Sequence, residues 1–365
     1  MASVVFYVSG HGFGHAARQI EIVNHLAAVA PRLRIVLRMT APRWLLESLL
    51  RAPAVVLGGE VDTGIVQIDS LRLDESETIA RAAAFYDTLD ARAEAEASLL
   101  HEHGARLVVS DAPPLACAAA ARAGIPSVVC SNFTWDWIYG GYAEAVSAPA
   151  LIPAIRSAYA SATAGWRLPM YGGFETIGSV VDLPFVAQHA DSSRSREEVR
   201  RALDLPVDVP LALLSFGGYG VRGLLLDRVD CLDRWGIVAV AGDTTSLPPG
   251  LCRVPQRRLG DAGLRYEDLI RAVDAVITKP GYGIIADCIA NETAILYTSR
   301  GRFVEYDVLV AEMPRFLRCR FIEMAALAAG RWGAALDALM ASPPPPERPR
   351  TDGAQVVAEM IRHLL

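Results

Sequence analysis

Short apolar runs separated by longer amphipathic stretches fill most of the chain, and the pattern starts twice. In the first half, Val4–Val8, Ile35–Arg38, Ile65–Ile68, Leu107–Ser110 and Ser127–Cys130 have strand length and are rich in Val, Ile and Leu. Such near-continuous apolar runs suit strands buried on both faces of a parallel sheet. Between them, Ala16–Val29 and Glu75–His103 carry the spacing of amphipathic helices. The second half restarts with Leu211–Ser215, Ile237–Ala241, Ala275–Ile277 and Ala294–Tyr297. Strands alternating with helices predict α/β architecture, with a parallel, doubly wound sheet in each half.

The polar run Asp191-Ser-Ser-Arg-Ser-Arg-Glu-Glu ends in a helix-start signal and separates the halves. The expected layout is an N-terminal Rossmann-like domain over 1–185, a linker at 186–195 and a C-terminal Rossmann-like domain over 196–345. Pro343–Pro346 forms a second hinge, and a tail over 346–365 carries a final helix at Gln355–Leu365. Two such domains facing a cleft is the economical arrangement.

Composition narrows the function classes. A length of 365 residues suits two domains of ordinary size. The net charge of −6, without a basic block, argues against nucleic acid or an anionic membrane as the main partner. Six scattered cysteines with no Cys-x-x-Cys point to reduced thiols in a cytoplasmic protein rather than a disulfide or zinc framework. Val4–Val8 has no basic leader and enters a glycine loop instead of a cleavage site, and no apolar stretch is long enough to span a bilayer. His101 and His103 form a His-x-His, but their place before Gly104 fits dipole capping at a helix C-terminus better than metal binding. Of 35 basic residues, one is a lysine, Lys279. A lone lysine among arginines either is chance or marks a position that needs a compact ammonium.

The candidate chemistry lies in glycine loops at predicted strand ends. Ser9-Gly10-His11-Gly12-Phe13-Gly14-His15 joins the first strand to the first helix. Gly12 and Gly14 allow close approach of a ligand, and the helix N-terminus offers free N–H groups. A dinucleotide fingerprint would end in glycine and carry an acid about twenty residues on. Here the last position is His15 and the second strand ends Arg38-Met39-Thr40. No Gly-Lys-Ser/Thr occurs, so a standard Walker loop is excluded. A histidine at a helix N-terminus stays neutral and basic near pH 7. His15 is the preferred catalytic base, with His11 the second candidate or a turn-stabilising residue. Asp111 ends a parallel strand and either orients that base or starts a turn.

In the second half, Ser215-Phe216-Gly217-Gly218-Tyr219-Gly220 and Thr278-Lys279-Pro280-Gly281-Tyr282-Gly283 follow strands. Together they form an expected diphosphate cradle, with Asp287 placed one turn on for ribose hydroxyls. No Asp-x-Asp occurs, so metal-held diphosphate binding is not supported and no metal or other cofactor is expected. Trp135, Trp137 and Tyr139 either stack on an acceptor or belong to the core, with Asn132 or Thr134 as a helix cap.

Gly-His-Gly-Phe-Gly-His-Ala-x-Arg, Val109-Ser-Asp-x-x-Pro, Ser131-Asn-Phe-Thr-Trp-Asp-Trp-Ile-Tyr and Lys279-Pro-Gly-Tyr-Gly resemble the N-terminal glycosyltransferase-like region of plant L-arabinokinases. The resemblance covers nearly the whole chain; the sugar-kinase half is absent. More distantly the layout is similar to the lipid II-forming N-acetylglucosaminyltransferase of the GT-B fold. That likeness implies His15 as the base and Pro280–Gly283 through Asp287 as the donor motif, with aspartate where that enzyme has glutamate. It also implies that Arg300–Asp307 reads the donor sugar, with Glu305 and Asp307 as candidates. The expected activity is transfer from a nucleoside-diphosphate sugar, a UDP-sugar foremost, to a hydroxyl acceptor, inverting and metal-independent. A sugar-nucleotide 2-epimerase or hydrolase, and a non-catalytic sugar-nucleotide-binding module, are the alternatives.

Overall fold

The computed structural model describes residues 2–217, 223–241 and 248–365. The predicted loop residues Gly218, Tyr219 and Gly220 lie outside them. The chain divides into two compact units: one runs through Gln67 and adds Leu73–Ala187 and Arg350–Leu365, and the other takes Ile68–Arg72 and Gln188–Pro349.

The first unit is built on a seven-stranded parallel sheet: β1 Ser3–Val8, β2 Arg34–Met39, β3 Val55–Leu57, β4 Ala105–Asp111, β5 Ser127–Phe133, β6 Ala164–Gly172 and β7 Val180–Asp182. Their order is β3-β2-β1-β4-β5-β6-β7. Every residue of β1 is buried because β2 and β4 flank it and helices cover its faces. Strand order reverses between β1 and β4, and the register sets Val8 beside Asp111. In doubly wound sheets this switch point opens a crevice at the carboxyl ends of the strands.

The helix Phe13–Val29 packs on Gly353–Leu364, the helix with which the chain returns to this unit. Ala354, Val357, Ala358 and Ile361 recur at helical spacing and are buried in one cluster with Ile20, Val23 and Leu26. Two expectations change. Ile65–Ile68 is not a strand: Gly64 precedes it in a left-handed conformation (φ 61°), and only Gln67 forms a bridge, to Leu73. The third strand is Val55–Leu57, bounded by Pro53 and Gly58. The long helix over 75–103 is two, Glu75–Asp87 and Leu89–Glu102, because Thr88 leaves helical geometry and its hydroxyl donates to Phe85 O at 3.0 Å.

The second unit holds a six-stranded parallel sheet: β8 Leu211–Ser215, β9 Gly236–Ala241, β10 Leu251–Pro255, β11 Ala275–Thr278, β12 Ala294–Tyr297 and β13 Cys319–Phe321. Its order, β10-β9-β8-β11-β12-β13, also reverses after its first strand, and Thr278 of β11 lies beside Ser215 of β8. Trp235 and Trp332 fill its core with Ile237, Ile277 and Leu296. The helix Arg196–Ala202 opens with a capping box in which Ser195 and Glu198 satisfy each other's backbone N–H. All six cysteines are free thiols, and among the described residues no helix is long and apolar enough to cross a membrane.

The returning helix gives the first test. Ile361→Ala removes a fully buried side chain and is expected to cost the first unit about 2–4 kcal/mol, read as a lower urea midpoint. An unchanged midpoint would contradict the packing of this helix on Phe13–Val29.

Candidate functional site

At the switch point of the first unit, the loop after β1 delivers His15 to the carboxylate that ends β4. Gly12, the N-cap of Phe13–Val29, has φ 79°, a conformation that L side chains rarely adopt. Among the described residues no side chain caps this helix, which leaves its first-turn N–H groups available to a ligand. A Cβ on Gly14 would meet nothing within 4 Å. His15 Nδ1 is 2.9 Å from Asp111 Oδ2. Arg18, on the same face three residues later, donates to Asp111 Oδ1 and to Asn132 Oδ1. Asn132 in turn donates to Pro169 O at 2.7 Å, which ties the group to β6.

The electrostatics assign the protons. Burial alone would push Asp111 up, but Arg18 and His15 beside it hold its carboxyl below the ordinary value. Asp111 is therefore an anion, and Nδ1–H of His15 donates to it. The Arg18 guanidinium, 3.3 Å from Nδ1, acts on the ring as a neighbouring cation. Nε2 is left with the lone pair and takes no hydrogen bond among the described residues, while the residue as a whole is 7% exposed. An imidazole fixed at Nδ1 by a carboxylate and bare at Nε2 is arranged as a general base. Ala112, which follows Asp111, has φ 69°. Tyr159 holds this left-handed turn by donating to Ala112 O and accepting from Trp135 N at 3.0 Å.

His11 is placed differently. Its Nδ1 accepts from Ile65 N at 3.2 Å and its Nε2 faces the Gln67 amide at 3.1 Å. A Cβ on Gly64 would come within 2.8 Å of His11 Cβ, so the ring sits against bare backbone. With both nitrogens committed, His11 braces the loop. Trp135 and Tyr139 are fully buried, stacked 5.0 Å apart, and belong to the core. Trp137 lies over Gly172, where a Cβ would strike its indole at 2.4 Å.

Sequence reasoning missed Asp62. This residue, 5% exposed, accepts from Ser9 Oγ at 3.1 Å and from Trp135 Nε1 at 2.9 Å. Burial raises it to about 6 against the opposing pull of Ser9, His15 and Trp135. A lone aspartate in a loop carries no sequence signal.

The second unit concentrates charge at the ends of β11 and β12. Lys279 follows β11 and Gly281 caps the helix Tyr282–Ala290 without a side-chain hydrogen bond. Gly217, with φ 71°, follows β8, the strand paired with β11. Buried Arg300 donates to buried Glu305 Oε1 at 2.7 Å and lies 3.8 Å over the Phe303 ring. Arg300 Nε, Glu305 Oε2 and Thr298 Oγ1 are buried without hydrogen-bond partners among the described residues. Lys279 has no ion pair among the described residues; burial first, then Arg300, bring its ammonium down to about 7, with Glu305 opposing. Asp307 is exposed in the first turn of Tyr306–Phe316. Asp287 accepts from Gln188 N at 2.8 Å, which fastens the start of this unit. Among the described residues no His, Cys, Asp and Glu side chains group as a metal site.

Lys279 makes stability depend on pH with a definite sign. Its ammonium loses its proton near pH 7 in the folded chain against an ordinary 10.5. The unfolded chain therefore binds more protons across that window, and this group's contribution to stability rises as pH climbs through it. Lys279→Met is expected to flatten that rise in denaturation midpoints measured from pH 7 to pH 10. An unaltered slope would contradict the burial of an unpaired ammonium.

No family model matches the chain. It is 33% identical over 322 residues to L-arabinokinase of Arabidopsis thaliana, across 86% of this chain and 30% of that protein. The chain thus spans about a third of the curated relative it matches. Among solved structures it is similar to the calicheamicin glycosyltransferase CalG4, with a TM-score of 0.63 and 15% identity over 99% of this chain and 98% of that one. It is also similar to Phytolacca americana UGT2 complexed with UDP-2-fluoroglucose and pterostilbene, with a TM-score of 0.60 and 12% identity over 100% and 94% of the two chains. With its two parallel-sheet α/β units, the chain has the GT-B glycosyltransferase fold.

Proposed function

We propose that the protein is a glycosyltransferase that moves a sugar from a nucleoside-diphosphate sugar, a UDP-sugar foremost, to a hydroxyl acceptor, with inversion and without a metal. The observation that carries this reading is the buried Asp111–His15 pair at a sheet switch point, with Nε2 unengaged. Nε2 takes the proton of the acceptor hydroxyl as its oxygen attacks the anomeric carbon. The bond from that carbon to the diphosphate oxygen breaks, and the diphosphate leaves with the electron pair. Asp111 stabilises the imidazolium so formed.

The leaving group needs positive potential. Lys279 and the uncapped N-terminus of Tyr282–Ala290 supply it in the second unit, which is the support for transfer without a metal. The unpartnered Glu305 Oε2 and Arg300 Nε are suited to donor-sugar hydroxyls. The structural likeness to UGT2, solved with UDP-2-fluoroglucose, supports this donor class.

The test is His15→Ala, assayed for sugar transfer to a panel of hydroxyl acceptors and, separately, for UDP binding by calorimetry. Turnover is expected to fall by about 10²–10⁴-fold, the usual contribution of a general base, with UDP affinity retained. Near-normal turnover would remove His15 from the mechanism. Hydrolysis or epimerisation of the nucleotide sugar without an acceptor would instead support the alternative chemistry.

A further inference from the structure

We propose that Asp62 is a positioning residue of the site: it fixes the Gly10–His11 turn and places a second negative charge in the field of His15, stabilising the imidazolium that forms there. This rests on the reading of His15 as the base. Two observations carry it. First, a chain of hydrogen bonds runs from the loop to Asp62: His11 N donates to Ser9 Oγ at 3.2 Å, and Ser9 Oγ donates to Asp62 Oδ1 at 3.1 Å. Trp135 Nε1 donates to the other oxygen at 2.9 Å. Asp62 thereby joins the end of β1, the loop after β3 and the helix Trp135–Gly140.

Second, the charge of His15 pulls the buried Asp62 carboxyl down, while that of Asp111 pushes it up. The charged and titratable groups facing His15 are Asp111 at the end of β4, Arg18 on its own helix, Asp62, and His11, whose ring centroid is 6.2 Å away. Asp111 is already bonded to Arg18, so much of its charge is neutralised locally. Among the described residues no cationic side chain is bonded to Asp62; its partners are a hydroxyl and an indole N–H. Its charge is therefore free to act on the imidazolium, and in a buried site such a charge is weakly screened.

The test separates charge from scaffolding. In Asp62→Asn the amide oxygen still accepts from Trp135 and the amide nitrogen donates to Ser9 Oγ, which still accepts from His11 N. Geometry is retained and charge is lost. The readout is the His15 ring titration by NMR in the purified protein without substrate. Its midpoint is expected to fall by about half a pH unit or more in D62N, and to stay within about a tenth or two of wild type in Ser9→Ala, which keeps the carboxylate. Equal midpoints in wild type and folded D62N would overturn the proposal, as would a Ser9→Ala shift as large as that of D62N. Should D62N not fold, wild type carries the same test: the His15 signal must depart from a single-site titration, by a broadened transition or a second inflection, as Asp62 ionises. A curve that fits one independent ionisation would sink the coupling. The reading is independent of turnover, so failure to find a sugar acceptor would count against the transferase assignment and leave this result standing.

Discussion

A carboxylate with no exposure to water is costly, and the first unit is arranged around meeting that cost at Asp111. Arg18 takes one oxygen and His15 the other. Each partner comes from the helix that follows the glycine loop, so the loop cannot reshape without uncovering a buried charge. Removing one member of such a group leaves the others uncompensated and typically costs about 3–5 kcal/mol. The same bonds that hold the fold at this point leave His15 Nε2 as the unengaged basic atom. Structural necessity and a basic site therefore coincide.

Topology supplies the location. Each sheet reverses its strand order once, between β1 and β4 and between β8 and β11. At both points a loop carrying a left-handed glycine, Gly12 in one unit and Gly217 in the other, follows the first strand. The paired strand contributes the charged residue: Asp111 ends β4 and Lys279 follows β11. The two units thus differ electrostatically at equivalent places: a carboxylate held by an arginine and a histidine in one, and in the other an ammonium with no ion pair among the described residues.

Much of this was legible in the sequence. Central strands such as β1, β4, β8 and β11 bury both faces and read as continuous Val, Ile and Leu. The edge strands β3, β7, β10 and β13 did not show: they run three to five residues and are only partly buried. His15 and Asp111 were singled out because each follows such an apolar run, and the structure brings the two side chains together. Arg18 and Asn132 stood inside quoted motifs, but their roles depend on contacts across 114 residues of sequence. Asp62 left no trace, since nothing in its neighbours distinguishes it from any loop aspartate. For Asp287, read from the sequence as a ribose contact, the structure adds a bond the sequence did not show: its carboxylate accepts from the backbone of Gln188, a partner 99 residues away.

The central claim is that Asp111 fixes the proton of His15 on Nδ1 and leaves Nε2 bare. Nitrogen-15 NMR of the imidazole at a pH where it is neutral tests this directly. The account predicts a His15 ring with an Nδ1–H resonance and an unprotonated Nε2. A ring protonated on Nε2 and bare at Nδ1 would contradict it.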